Sequence, residues 1–126
     1  MKKFRIAIPT RGEGGLDDVV SETFGRANTF TVVDSERGKI KKVNVLKNPA
    51  VSYKHGAGPI VVKMLLDAGV NTVIAAEFGP GVLSLLDQHS VSRATFQAGR
   101  SAKEAINIFL LEYAGVQNQA QPCSSA

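Results

Sequence analysis

The chain has 126 residues, of which 44% are hydrophobic and 21% are charged, and its formal net charge is +4. This length and composition fit one globular domain with one core, and the modest positive charge is weak evidence for nucleic acid binding. No apolar run approaches the roughly 20 residues that span a bilayer and no signal peptide is visible, so we expect a cytoplasmic protein.

The first predicted element is a central strand over residues 4–9, where apolar side chains alternate and a proline ends the pattern. Residues 10–18 follow with three glycines and several charges, which is typical of a loop. Loops after the first strand of an open α/β sheet commonly contact ligands, so Thr10, Arg11 and Gly12 are candidate ligand-binding residues. A surface loop without a ligand is the alternative.

A β-hairpin is predicted after a short turn in which we expect Phe24 to be buried. Residues 29–34 alternate as a strand, and residues 39–47 return after a turn, with Val43 and Val45 facing inward. The return strand carries four lysines, which are Lys39, Lys41, Lys42 and Lys47. They favour an edge strand protected by charge over a phosphate-binding strip, because no aromatic residues lie between them to stack on bases.

Two helices are predicted to begin at Gly-Pro pairs, because proline suits the first helical position. The first begins at Pro59, carries an apolar stripe and ends at Gly69, which suits the position after a helix. Residues 72–76 form a short apolar run, typical of a strand covered on both faces, and the second helix begins at Pro80. The stripe of the first helix consists of Val61, Met64, Leu65 and Ala68.

The last predicted elements are a strand over residues 91–96 and a helix that opens with the capping box Ser101-x-x-Glu104. The polar tail over residues 116–126 is expected to be disordered. We therefore predict one domain over residues 1–115, in the order β-β-β-α-β-α-β-α. This order gives an α/β fold with a mixed five-stranded sheet and helices on its faces.

The predicted order places the first turns of two helices beside the carboxyl ends of strands, where unpaired amides point into one cleft. Such helix ends favour anionic ligands. Glycines that permit close backbone approach occur there at Gly56, Gly58, Gly79 and Gly81. Three arginines in loops are candidates for converging on an anion, although single loop arginines are more often solvated: Arg11, Arg26 and Arg100.

Catalytic motifs are weak or missing in this sequence. The β-β-β-α-β-α-β order is also that of ribonuclease-H-like nucleases, but two-metal chemistry needs clustered carboxylates, and only Asp34 and Glu77 end strands. The hydrolase motif G-x-S-x-G and both glycine-rich phosphate motifs are absent. An enzyme acting on a small phosphorylated substrate is supported only by the helix ends.

His55 is the more interesting of the two histidines. It precedes the first helix, where an imidazole can meet a soft or borderline metal beside a helix N-terminus. The alternative is a hydrogen bond within a loop, which lone histidines make more often. His89 is expected near the C-terminus of the second helix, where a partial positive charge is favourable. Cys123 is the single cysteine, so an all-cysteine metal site within one chain is excluded.

A resemblance to a known family rests on the segments SETFGRANTF and HGAGP and on the strand followed by FGPG. They resemble the dinitrogenase iron–molybdenum cofactor biosynthesis family, which includes NifX, NafY and the C-terminal part of NifB. The resemblance covers residues 4–113 and implies a ribonuclease-H-like α/β domain without nuclease activity. It also implies that the protein binds or carries an iron–sulfur or iron–molybdenum precursor cluster and meets partner proteins of cluster assembly.

One position departs from the pattern of the nitrogenase-associated members. They typically have histidine, a candidate cluster ligand, before the Phe-Gly pair, and this chain has Thr23. A threonine hydroxyl is a poor ligand for iron held by sulfide. The resemblance then leaves His55 as a metal ligand, or Arg26 and loop amides as groups that hold an anionic cluster.

The combined interpretation is a binding or carrier protein rather than an enzyme, which holds a metal–sulfur cluster or another small anionic ligand and has no nucleic acid or membrane partner. His55 is the candidate metal ligand. The candidate ligand-binding residues are Thr10, Arg11, Gly12, Thr23, Phe24, Gly25, Arg26, Gly56, Gly58, Glu77, Gly79 and Gly81. The alternative is a protein-interaction module without a bound cluster, which an exposed apolar patch would favour.

Overall fold

The computed structural model describes residues 3–52 and 56–113, with Pro80 and Tyr113 described by their backbone alone. The predicted order of strands and helices is confirmed in this part of the chain. The elements are β1 (Lys3–Thr10), β2 (Thr29–Glu36), β3 (Lys39–Lys47), α1 (Ala57–Asp67), β4 (Thr72–Ala75), α2 (Pro80–Gln88), β5 (Ser92–Thr95) and α3 (Ala102–Tyr113). The tail predicted from residue 116, with Cys123, lies outside the described residues.

The five strands form one mixed sheet in the order β3-β2-β1-β4-β5. β1 pairs antiparallel with β2 and parallel with β4, so the predicted central position of the first strand is confirmed. The β2–β3 hairpin closes through Arg37 and Gly38, whose φ angles are 57° and 79°. Two positive φ angles give the turn a twist that matches the strands.

Helices cover both faces of the sheet. The apolar faces of α1 and α2 pack on one side around Ala7 and Val73, and α3 packs on the other side around Ile6 and Ile8. The alternation of β1 thus divides its side chains between two cores. β4 is buried along its whole length, as the short apolar run without alternation predicts.

The ends of α1 follow local rules, with one difference from the sequence prediction. Pro59 is the third residue of α1 rather than the first, but its missing N–H still falls in the turn that has no intrahelical acceptor. Gly69 has φ +84° and follows the helix, as predicted. Its N–H donates to Leu66 O at 3.0 Å and that of Val70 to Leu65 O at 3.0 Å, which is a Schellman ending.

The beginnings of α2 and α3 were also encoded locally. Pro80 opens α2, and the Ser101 hydroxyl accepts the Glu104 N–H at 3.1 Å at the start of α3. The predicted capping box forms only in this half, because the Glu104 carboxylate pairs with Arg100 instead of turning back to the cap. None of the described helices is long and apolar enough to cross a membrane.

β3 lies at the edge of the sheet, and the prediction that Val43 faces inward is wrong. Val43 is 36% exposed instead of facing a core. A 3₁₀ turn (Gly15–Asp17) lies against Val43 and Val45, since a Cβ built on Gly15 would lie 3.7 Å from Val43 Cγ1 and 3.8 Å from Val45 Cγ2. The lysines of β3 are exposed, which agrees with an edge protected by charge.

Candidate functional site

Three segments meet beyond the carboxyl ends of β1 and β4, and their exposed surface is called the candidate cleft. They are the site loop (residues 23–28), the first turn of α1 (residues 56–58) and the β4–α2 loop with the first turn of α2 (residues 77–82). A Cβ built on Gly25 would lie 3.1 Å from Gly58 N, and one on Gly58 would lie 2.8 Å from Val82 Cγ2. The site loop and α1 therefore pack nearly backbone to backbone, and Gly58 leaves room for the Val82 side chain, so a larger residue at either glycine would force a shift.

An aromatic group forms the floor under these segments. Phe24 is 3% exposed, and its ring lies edge-on to Phe30 at 5.4 Å and tilted against Phe78 at 5.9 Å between centroids. The predicted burial of Phe24 is confirmed. Phe78 belongs to the FGPG segment that carries the resemblance, but its contact with Phe24 was not predicted.

The two helices that begin at the candidate cleft have no side-chain cap. Neither Gly56 nor Gly79 offers a capping group, whereas Ser101 caps α3. Cβ atoms built on Gly56, Gly79 or Gly81 would meet nothing within 4 Å, so the backbone there is open to solvent. The leading amides of α1 and α2 therefore have no side-chain cap, and helix N-termini of this kind favour anions.

Two of the arginines that were predicted to converge on an anion are paired with carboxylates instead. Arg11 pairs with Glu22 through both its Nε, at 3.2 Å, and its Nη2. Arg100 pairs with Glu104 and lies 5.2 Å from the centre of the Phe96 ring. Arg11 lies against the loop before α3, since a Cβ on Gly99 would be 3.8 Å from its Nη2. Arg26, Thr23 and Glu77 are exposed.

The Arg11–Glu22 pair also affects protonation. The pKa of Glu22 lies below its usual range, first because its carboxylate accepts its own backbone N–H and second because Arg11 donates to it. Both side chains are substantially exposed. An anion that binds Arg11 would therefore compete with an ionised carboxylate already in place.

Thr10 and Gly12 anchor the loop after β1 instead of presenting groups to the candidate cleft. The Thr10 hydroxyl is fully buried and bonds the hydroxyls of Thr29 at 2.6 Å and Thr31 at 3.1 Å. The Gly12 carbonyl accepts from the Thr29 hydroxyl, and a Cβ on Gly12 would come within 2.9 Å of Asp18 Oδ2. Both residues hold the backbone of this loop in place.

Asn48 is part of the site although the sequence pattern does not indicate it. Its side chain is buried and donates to the carbonyls of Gly25 at 2.9 Å and Ala27 at 2.8 Å. Its Oδ1 accepts the N–H of Ala50 at 2.8 Å. The available signal was the Asn-Pro pair, which favours turn initiation but does not reveal a contact with the site loop.

The described residues contain no group of three histidine, cysteine, aspartate or glutamate side chains placed to hold a metal ion. His55, the predicted metal ligand, lies outside the described residues. Asp34 sits opposite Arg5 at the start of β1, whereas Glu77 follows the carboxyl end of β4. These two carboxylates are at opposite ends of the sheet and cannot share a metal ion.

The fold and the candidate cleft define a small α/β domain with two open helix N-termini at one end of its sheet. Residues 2–111 match the family model described as dinitrogenase iron–molybdenum cofactor. The chain therefore belongs to this family, and the resemblance found in the sequence is confirmed.

Individual relatives agree with this membership. An uncharacterised protein of Methanocaldococcus jannaschii is 30% identical over 111 residues, which cover 87% of this chain and 88% of the relative. The apo form of the orange protein from Desulfovibrio gigas superposes with a TM-score of 0.76 at 29% identity, covering 84% and 86% of the two chains. A Thermotoga protein described as a NifB protein gives a TM-score of 0.69 at 36% identity, with coverages of 84% and 86%.

Proposed function

We propose that this protein is a non-catalytic cytoplasmic carrier that holds an anionic ligand, an iron–sulfur or iron–molybdenum precursor cluster, in the candidate cleft. The observation that carries the proposal is the pair of uncapped helix N-termini, opened by Gly56, Gly79 and Gly81, at one end of a protein with net charge +4. Backbone amides at helix N-termini hold anions without needing a charged side chain.

The groups around the candidate cleft suit a ligand held mainly by charge and hydrogen bonds. The leading amides of α1 and α2 donate to the ligand, and Arg26 supplies a counter-charge from the site loop. Phe24 and Phe78 keep the floor apolar, which strengthens electrostatic contacts above it. His55 adds a metal–nitrogen bond from the segment that leads into α1, and proteins of cluster assembly are the expected partners.

The proposal is tested by anaerobic incubation of the protein with iron and sulfide, followed by desalting, metal analysis and a visible spectrum. We expect stoichiometric iron with charge-transfer bands in the unmodified protein. The His55→Ala variant should retain much less iron with an unchanged unfolding midpoint, whereas His89→Ala, at the far end of α2, should behave as wild type. Equal iron in both variants would remove His55 as a ligand.

A protein-interaction module remains the second candidate, and one observation favours it. Ile108 and Leu111, three residues apart on α3, are 38% and 70% exposed. A folded protein that stays colourless and free of iron in the same experiment would support this second function and contradict the carrier.

A further inference from the structure

We propose that Asn48 is the positioning residue of the candidate cleft, because it holds the site loop in the place where the loop meets α1. Its amide reaches two carbonyls of the site loop, of Gly25 and Ala27, and Asn48 is only 5% exposed. The part of this inference that concerns ligand retention rests on the proposed carrier function. The part that concerns loop position does not.

The backbone of Asn48 is fixed by the sheet. β2 and β3 pair as far as Thr29 and Lys47, and the Asn48 N–H donates to Asn28 O at 3.1 Å one step beyond that pair. The side chain therefore extends from a rigid base. The bond to Asn28 ties the last residue of the site loop to the end of the hairpin, and the Asn48 side chain reaches from there to Gly25 and Ala27.

The chemistry of the contact requires a carboxamide. Both donors of the Asn48 NH₂ group are used by the two carbonyls, while Oδ1 accepts the N–H of Ala50 across Pro49, as in an Asx turn. Aspartate of the same size can keep the turn but, when ionised, cannot donate to either carbonyl. The two tasks of Asn48 can thus be separated by substitution.

The held loop bears directly on the first turn of α1. Gly25 packs so closely that a Cβ there would lie 3.1 Å from Gly58 N and 3.4 Å from Ala57 C. If the loop shifts, the surface in front of the α1 amides changes with it. Asn48 therefore controls access to a group of atoms that its own side chain does not touch.

The experiment compares Asn48→Asp and Asn48→Ala with the matched control Asn71→Ala. Asn71 also makes backbone and side-chain bonds, accepting from Arg5 N–H and the Thr72 hydroxyl, but at the opposite end of β1. Hydrogen exchange measured by mass spectrometry follows residues 22–28 and the β4 segment. Iron retention after incubation with iron and sulfide follows the ligand.

In both Asn48 variants we expect exchange of residues 22–28 to accelerate at least about tenfold, with β4 unchanged, because the Gly25 and Ala27 carbonyls lose their donor. Iron retention should fall by a similar factor. Asn71→Ala should change neither quantity, even if its unfolding midpoint drops. If residues 22–28 of Asn48→Asp exchange as slowly as in the wild type, the inference is overturned. The turn with Ala50 would then hold the site loop without the two bonds to its carbonyls.

The two proposals fail in different ways. If the wild-type protein retains no iron, the carrier function is contradicted. The hydrogen-exchange result then still shows whether Asn48 holds the site loop in place. Faster loop exchange with undiminished iron retention would contradict the positioning role of Asn48 and leave the carrier function standing.

Discussion

At the scale of single residues, the structure replaces isolated charges with pairs. Arg11 and Arg100 each bind a neighbouring carboxylate, of Glu22 and Glu104, so neither side chain offers an uncompensated charge to a ligand. Exposed pairs of this kind contribute little to stability on their own. At Glu22, its own backbone N–H and Arg11 together also lower the pKa of the carboxylate.

The Glu22 pair gives a prediction about pH. Since the folded-state pKa of Glu22 is lowered, its ionised form stabilises the folded protein above the ordinary value near 4.5, and this contribution is lost as pH falls through the folded-state pKa. We expect Glu22→Gln to lose less stability than wild type between neutral pH and about pH 3, measured by urea unfolding.

The control for this prediction is Glu112→Gln, which removes an exposed carboxylate near the opposite end of α3 from Arg100. The Glu112→Gln variant leaves the Arg11–Glu22 pair intact. The stability that this variant loses in acid, compared with wild type, therefore reports the general effect of removing one negative charge. If Glu22→Gln and Glu112→Gln lose the same unfolding free energy between neutral pH and about pH 3, a specific role for the Arg11–Glu22 pair is contradicted.

At the scale of elements, the first turn of α2 contains a glycine that weakens the helix and that lies at the candidate cleft. Gly81 is a helical residue with open space where a Cβ would project, so nothing in the local packing requires glycine. Glycine in a helix is less favourable than alanine by roughly 0.5–1 kcal/mol. A residue that costs stability without a packing reason is consistent with a ligand that approaches the backbone closely.

Gly81→Ala is therefore expected to raise the free energy of unfolding by roughly 0.5 kcal/mol and to lower iron retention in the same protein. Ser84→Ala, one turn further along the exposed face of α2, is the matched control and should stabilise without affecting retention. Urea unfolding and metal analysis measure the two quantities. A Gly81→Ala protein that binds iron as well as wild type would exclude close approach at this turn.

At the scale of the whole molecule, the net charge bears on how a ligand would reach the candidate cleft. The candidate cleft occupies one end of the sheet, and the chain has a formal net charge of +4. Such a charge attracts an anionic cluster over several ångströms, but dissolved salt screens the attraction at exposed sites.

Iron retention should accordingly weaken several-fold as sodium chloride rises from about 0.05 M to about 1 M, where the screening length falls to roughly 3 Å. Repeated desalting at each salt concentration measures the retained iron, and the unfolding midpoint at each concentration serves as the control. If the amount of retained iron does not change with the salt concentration, coordinate bonds hold the ligand instead of charge and hydrogen bonds. His55 is then the first candidate for such a bond.

The sequence by itself determined the features whose causes lie within a few residues. Gly69 and Pro80 mark helix boundaries because their backbone preferences act locally. The alternation along β1 and the apolar run of β4 fixed which strands are covered and on how many faces. Short-range geometry and periodicity were enough to obtain the fold class and to place two helix N-termini near one cleft.

Only the tertiary structure decided the contacts between distant segments. Asn48 lies 23 residues from Gly25 and 21 from Ala27, so its role as a clamp has no local signature. The exposure of Val43 depends on β3 being an edge strand, which follows from strand order and not from its own alternation. The hydroxyl of Thr10 is likewise engaged inside the sheet by residues 19 and 21 positions away, because pairing across strands brings them together.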